Sequence, residues 1–233
     1  MNLERSTNQL LAALPPKTLQ ELLIGAERVL LCEPRRTETH QRFAPGAYFP
    51  LQGMLAVEMI LRSGATIEVG VVGREGVLME FDRVGTTPAN RVLVRCSGAA
   101  LRVELRHLFD LCLRDAVLNQ MIRQRWASSL GVVSQLVACN RHHRVEQQLT
   151  RWLLDYLDHD DVAEVHIAQE RIAAALGVRR EGVTEALGQL QHSGAIEVAR
   201  CCVRIHDRAR LERLTCECYP IIRDLRRLQT LAA

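Results

Sequence analysis

The spacing of apolar positions along this chain changes twice. From 7 to 25, Leu10, Leu11, Leu14, Leu19, Leu22 and Leu23 make a helical stripe that Pro15-Pro16 interrupts. From about 28 to 105 the period falls to two. Leu55, Val57, Met59 and Leu61 alternate with Ala56, Glu58, Ile60 and Arg62, and Ile67, Val69 and Val71 alternate with Thr66, Glu68 and Gly70. Val92, Val94 and Cys96 follow, then Leu101, Val103 and Leu105. Turn residues punctuate the run at Pro45-Gly46, Gly53, Ser63-Gly64, Gly73, Gly76, Gly85, Pro88 and Ser97-Gly98. Short strands separated by turns about every ten residues predict a β-sandwich or barrel.

Beyond residue 106 the period becomes helical. From Leu108 to about Ala138 there is no Pro, and the only Gly is Gly131. Ile122, Trp126, Leu130, Val133 and Val137 recur at steps of four, four, three and four, which is one helix face. A helix of this length between two domains is expected to bury that face against a second copy about a two-fold axis. The competing reading is a core helix of the same subunit. A further amphipathic helix is expected over 143–158, with Val145, Leu149, Trp152, Leu153 and Tyr156 on one side. Asp155, Asp158, Asp160, Asp161 and Glu164 then read as a solvated acidic turn.

The pattern tightens after His166. Gln169 to Leu176 is helical with Ile172, Ala173 and Leu176 inward, and Gly177 supplies a residue suited to positive φ at its end. A second helix runs from Arg179 or Arg180 to His192, with Val183, Ala186, Leu187 and Leu190 inward, and Ser193-Gly194 stops it. Ile196-Glu197-Val198 and Val203-Arg204-Ile205 form two short strands around Ala199-Arg200-Cys201-Cys202. Helix, short turn, helix and hairpin make a winged helix-turn-helix. Its second helix can enter the major groove of duplex DNA with Arg179, Arg180, Glu181, Thr184 and Glu185 toward base edges. Arg pairs with guanine O6 and N7, and Glu accepts from cytosine N4. Gln169 and Arg171 open the first helix, where side chains and amides can hold phosphates, and Arg200 sits at the hairpin tip. Seven Arg against four acids from 171 to 210 leave that stretch at +3. The alternative is a helical hairpin for protein contact with a solvated Arg179-Arg180.

Composition narrows the class. The 233 residues are 48% hydrophobic and 24% charged, an ordinary globular balance with room for one large domain or two modest ones. No apolar run is long enough to span a membrane, and Met1-Asn2-Leu3-Glu4-Arg5-Ser6 lacks a signal-peptide pattern, so a cytoplasmic protein is expected. Net charge is only +3, and Lys17 is the single Lys among 30 basic residues. The eight Cys lack a disulfide framework spacing and are expected as reduced, mostly buried thiols. Cys201-Cys202 and Cys216-x-Cys218 near His206 form only a weak metal motif, so no metal is expected. Residues 28–105 contain only His40, which leaves no ligand set for a jelly-roll metalloenzyme, and no P-loop, Gly-x-Gly-x-x-Gly or Ser-His-Asp grouping occurs. An enzyme is not expected.

Four segments carry a family resemblance: Tyr48-Phe49-Pro50-Leu51-Gln52-Gly53, Glu68-Val69-Gly70-Val71-Val72-Gly73-Arg74-Glu75-Gly76, Val145-Glu146-Gln147-Gln148-Leu149-Thr150-Arg151-Trp152-Leu153-Leu154 and Leu176-Gly177-Val178-Arg179-Arg180-Glu181-Gly182-Val183-Thr184. With the order of elements, they make the chain resemble the CRP/FNR family of bacterial transcription regulators from about 10 to 220. The resemblance implies an α+β chain: a jelly-roll, cyclic-nucleotide-binding-like domain at 1–107, a dimerisation helix at 108–138 and a winged helix-turn-helix domain at 139–233. It implies a homodimer on a palindromic duplex, with RNA polymerase as a further partner.

The chain also departs from the family. Arg180 and Glu181 match the Arg-Glu pair of the recognition helix, but Glu185 stands where another Arg is common. A carboxylate cannot read guanine as Arg does, so the half-site is expected to differ. Members that bind cyclic AMP carry Arg with Ser or Thr for the phosphate, where Ala89-Asn90 falls here. Arg91 is one place off, and a one-residue slip in a strand turns a side chain to the other face. Cyclic AMP is therefore not expected as effector, and no other cofactor is indicated. An iron–sulfur sensor needs several N-terminal Cys, but only Cys32 lies in the first 90 residues. The alternative function is a small-molecule or redox-responsive regulator acting through protein contacts, with Ile221, Ile222, Leu225 and Leu228 as its contact stripe opposite Arg223, Arg226 and Arg227.

Overall fold

A computed structural model describes residues 8–32, 41–81, 90–159 and 164–227. His40, Thr86 to Ala89, Asp160, Asp161 and Leu228 lie outside them. The chain divides into two compact units, one of residues 1–57, 70–130 and 225–233, the other of 58–69 and 131–224.

In the first unit the N-terminal stripe forms two short helices, α1 (Gln9–Ala12) and α2 (Pro16–Leu22), rather than one. Pro15 and Pro16 separate them, Pro16 taking the first turn of α2, where no amide is needed. Asn8 caps α1: its Oδ1 accepts from the Leu11 amide at 3.1 Å, and its Nδ2 donates to the Pro50 and Gly76 carbonyls. Among the described residues five strands follow in the chain, β1 (Glu27–Leu31), β2 (Gly46–Ile60), β3 (Thr66–Val72), β4 (Leu78–Glu80) and β5 (Asn90–Val103), the end of β2 and the start of β3 being grouped with the second unit. They order β1-β5-β2-β3, with β4 paired to β2. This is the predicted jelly-roll domain.

The strands are longer than the sequence pattern indicated because both faces are covered. One apolar cluster holds Ala47, Phe49, Leu101 and Val103 with Leu10, Leu11, Leu22, Leu108 and Leu118. The other holds Tyr48, Leu55, Val92, Val94 and Ala100. Tyr48 and Leu55 reach the same cluster although one is an even and the other an odd position of β2. The parity changes at Gly53, whose φ is +84°. A Cβ there would meet the Cys96 and Ser97 carbonyls, so only Gly lets β2 pass β5 this closely. Leu61, expected in the strand, lies exposed in the turn beyond it.

The helix expected from Leu108 is two, α3 (Leu105–Cys112) and α4 (Ala116–His142). No Pro or Gly marks the break. Asp115 makes it: its carboxylate accepts from the Leu118 amide at 2.9 Å and from Thr18 Oγ1 at 2.5 Å, starting a new helix. These bonds, Thr18's first, hold the Asp115 carboxyl below the usual carboxylate range.

The second unit contains the end of α4, then α5 (Val145–His159), β6 (Glu164–Val165), α6 (Gln169–Leu176), α7 (Arg180–His192), β7 (Ile196–Ala199), β8 (Cys202–Ile205), α8 (Arg208–Leu214) and α9 (Cys218–Arg227), of which the residues to 224 belong here. Its sheet orders β6-β8-β7. Residues 58–69, the β2–β3 turn region, pack within this unit: Trp152 Nε1 donates to Glu68 Oε1 at 3.0 Å, with both residues buried.

Gly177 ends α6 at φ +66°, and the Val178 amide returns to the Ala173 carbonyl at 3.0 Å. A Cβ at Gly177 would lie 2.9 Å from Ile67 Cδ1. Gly177→Ala is expected to lower stability by about 1–2 kcal/mol, the cost of a left-handed non-glycine residue. Urea denaturation reads it, and an unchanged midpoint would rule out that strain.

Candidate nucleic-acid interface

The α6–turn–α7 pair is built by burial of one face from each helix. Ile172, Ala173 and Leu176 of α6 and Val183, Ala186, Leu187 and Leu190 of α7 are buried, as their spacing predicts. The other face of α7 is thereby turned outward. Arg179, Arg180, Glu181, Thr184 and Glu185 are all exposed, on the first two turns. Arg179 is the N-cap residue with no side-chain cap bond, and the Gly182 amide of the first turn returns to its carbonyl, so the Arg180 and Glu181 amides stay available to an anion. Gln169 and Arg171 are half-buried on α6. Arg200 is exposed at the β7–β8 tip, next to Cys201 at φ +57°.

Two contacts bring the helices' outer residues together. Thr184 Oγ1 lies 2.9 Å from Gln169 Oε1, and Arg180 Nη1 lies 3.2 Å from Glu170 Oε1. The sequence reading missed Glu170. Its side chain is 59% exposed and that of Arg180 62%, so the pair is a weak surface bridge that a nucleic acid can displace.

The seven Arg of 171–210 do not act alike. Arg204 Nε donates to Glu164 Oε1 at 2.8 Å and Arg208 Nη2 to Asp158 Oδ1 at 2.5 Å, while Arg210 bonds the Ser193 carbonyl. Arg171, Arg179 and Arg200 make no ion pair among the described residues.

This accounting corrects the acidic turn. Asp155 is buried, Asp158 also accepts from Tyr219 Oη at 3.0 Å, and the Arg204 bond holds the Glu164 carboxyl below its usual range. The Asp158 and Glu164 carboxylates are structural partners of Arg and Tyr. Glu164, His166 and Cys202 lie near one another, but Arg204 already engages the carboxylate, and His166 is exposed.

The expected dimerisation residues part company. Ile122 is 6% exposed and packs in the first unit's core. Trp126, Leu130 and Val137 are 52%, 68% and 66% exposed, and Val133 is half-buried. The Phe81 ring stands edge-on to Trp126. Val132, Leu136 and Cys139 on the other side of α4 are buried. Of the contact stripe expected on α9, Ile221 is exposed, Ile222 is buried and Leu225 is half-buried, its carbonyl accepting from Ser128 Oγ, while Arg226, expected opposite the stripe, is buried.

In the first unit, Arg125 of α4 reaches Glu75 Oε1 at 3.2 Å, and both Glu75 carboxylate oxygens lie 3.1 Å from the Gly73 amide. A Cβ at Gly76 would collide with the Arg125 guanidinium. Burial pushes the Arg125 pKa down, and Glu75 opposes it. Val92 and Val94 face the second cluster, so strand alternation puts Arg91 on the other face of β5.

Comparison with known proteins agrees with this geometry. Residues 147–214 match the family model of the Crp-like helix-turn-helix domain. A putative CRP/FNR-family transcriptional regulator from Eubacterium rectale superposes with a TM-score of 0.67 at 16% identity, over 86% of this chain and 94% of that one. FixK2 from Bradyrhizobium japonicum gives 0.64 at 16% identity, over 82% and 98%. The c-di-GMP-responsive global regulator CLP from Xanthomonas campestris gives 0.63 at 15%, over 82% and 99%. No curated protein matches the sequence. The fold and the matched domain define a jelly roll followed in the chain by a Crp-like helix-turn-helix. Residues 147–214 are thus a Crp-like helix-turn-helix domain, and the chain has the fold of CRP/FNR-family transcription regulators. No helix among the described residues is long and apolar enough to cross a membrane.

Proposed function

We propose that the protein binds a palindromic duplex as a homodimer, with α7 in the major groove, and that its jelly-roll domain does not take cyclic AMP. The exposed Arg180-Glu181 start of α7 carries the reading, because a duplex-reading helix presents its N-terminal residues to base edges, and Arg179 just before it is assigned to phosphate. Gln169, Arg171 and Arg200 are assigned to backbone phosphates, and Thr184 and Glu185 to bases one turn further along. Trp126, Leu130, Val133 and Val137 are assigned to the dimer seam, with Ile122 reassigned to the core. Domain limits near 107 and 138 are retained from the sequence as functional boundaries, and the bound dimer would act through RNA polymerase.

The case against cyclic AMP rests on the missing Arg-Ser pair and on Glu75, whose carboxylate is engaged by Arg125 and the Gly73 amide. Cyclic AMP is expected to leave both the melting temperature and operator affinity unchanged. A rise in melting temperature with nucleotide would reverse this assignment.

Selection of sites from a random duplex pool, without nucleotide and at about 0.15 M salt, tests the main reading. The expected result is a palindrome with half-sites about one helical turn apart. Affinity for it should fall steeply with salt, as counterions are released. Enrichment of a single unrepeated half-site would overturn the dimer, and no enrichment would overturn the assignment of α7.

A further inference from the structure

Four donor side chains outside the DNA-binding face converge in the second unit. Cys139 lies in the last turn of α4 and His143 just beyond it, and Cys216 lies just before α9, which Cys218 begins. The His143 amide bonds the Cys139 carbonyl at 3.0 Å, so the helical turn continues and sets both side chains on one face. The donor atoms of all four lie within 4.8 Å of one another, and the three Cys are buried. Such a cluster of thiols and an imidazole has no role in reading DNA.

The separations are those of the edges of a small tetrahedron. Cys139 Sγ and Cys216 Sγ are 3.7 Å apart, and Cys218 Sγ and His143 Nδ1 are 3.5 Å apart. Zinc–sulfur and zinc–nitrogen bonds of about 2.3 and 2.0 Å at tetrahedral angles give edges of about 3.8 and 3.5 Å. A cubane iron–sulfur cluster binds its thiolates on separate irons, further apart than this. A Cys139–Cys216 disulfide would leave the convergence of Cys218 and His143 unexplained.

The surroundings complete the case. His143 Nε2 faces Glu217 Oε2 at 3.2 Å, the carboxylate–imidazole contact that fixes the tautomer and leaves Nδ1 free to ligate. Gln135 Nε2 donates to Cys218 Sγ at 3.1 Å, as amides do to metal-bound thiolates.

We propose that Cys139, His143, Cys216 and Cys218 bind one zinc ion in a closed Cys3His site. Binding displaces the three thiol protons to solvent and changes no oxidation state. With four protein ligands and no open position, the site is structural. Its place in the chain gives it a purpose. The ligands flank the matched helix-turn-helix domain, 139 and 143 before residue 147 and 216 and 218 after residue 214. One ion thus ties the helix that enters the DNA-binding unit to the helix that leaves it.

The test is elemental analysis of the full chain, purified under reducing conditions from zinc-supplemented medium. One zinc per chain is expected. Cys216→Ser and Cys218→Ser should lose it, and Cys96→Ser and Cys202→Ser, which alter buried thiols elsewhere, should keep it. Cobalt replacement should give the visible bands of a tetrahedral thiolate site. His143→Cys should retain the metal with stronger sulfur-to-cobalt absorption, which reads the ligand set even if the serine variants fold poorly. Free thiols with no bound metal, a Cys139–Cys216 disulfide, or iron with inorganic sulfide would each overturn the proposal.

Discussion

Leu130→Asp with Val137→Asp is expected to make the protein monomeric and to weaken its binding to a palindromic duplex by about 10²- to 10⁴-fold. That range is the avidity gained when the second half-site is bound intramolecularly. Both side chains are about two-thirds exposed on α4, at 68% and 66%, and lie seven residues apart, two turns of one helix face. A helix whose other side already buries Val132, Leu136 and Cys139 has no reason of its own to expose two more large aliphatics. In an isologous dimer the same face meets itself, so each substitution places carboxylates from both copies into one seam. The cost to the monomer is small, because exposed Asp within a helix loses only about 0.5 kcal/mol of helix propensity. Sedimentation equilibrium reads the mass, and titration of one duplex carrying a single half-site and one carrying two reads the avidity. A dimer that survives both substitutions would remove this face from the interface.

The recognition unit was legible because its signals are local. The α6 end was marked by Gly177, and the buried faces of α6 and α7 by spacing alone. The jelly roll was legible in class and not in detail. Apolar clusters on both faces of β2, and the parity change at Gly53, blur an alternation that would otherwise delimit the strand. The α3–α4 break escaped notice because Asp115 and distant Thr18 make it, with no helix-breaking residue.

Long-range pairings were invisible for the same reason. Spacing placed Ile122 on the face of Trp126 and Leu130, but only the fold shows that the first unit's core ends between them. A run of carboxylates around Asp158 read as solvated, because Arg208 and Tyr219 lie far along the chain. Cys139 and Cys216 stand 77 residues apart, so neither half of the thiol cluster announces the other. The Cys-x-x-x-His spacing of 139 and 143, one helical turn, was the signal present in the sequence.

Arg180→Ala should cost about 1–3 kcal/mol in specific binding and relax the sequence preference at one base position in each half-site. Arg179→Ala should instead weaken binding to all sequences alike and reduce the salt slope by about one. The difference follows from their places. Arg180 is the first residue of α7 and is held by Glu170 against α6, which presets its fork toward one side of the helix. Arg179 precedes the helix and makes no ion pair among the described residues, as suits a phosphate contact. Because the Arg180–Glu170 bridge is exposed on both sides, releasing it costs less than about 1 kcal/mol. Glu170→Gln should therefore change affinity only a few-fold while keeping the selected sequence. Binding assays on the selected palindrome and on single-base variants, each over a range of salt, separate these effects. Equal loss on every sequence from Arg180→Ala would move base reading further along α7, to Glu181, Thr184 and Glu185. Those residues occupy the same exposed face, and there the carboxylates could accept from cytosine N4 without an arginine's help.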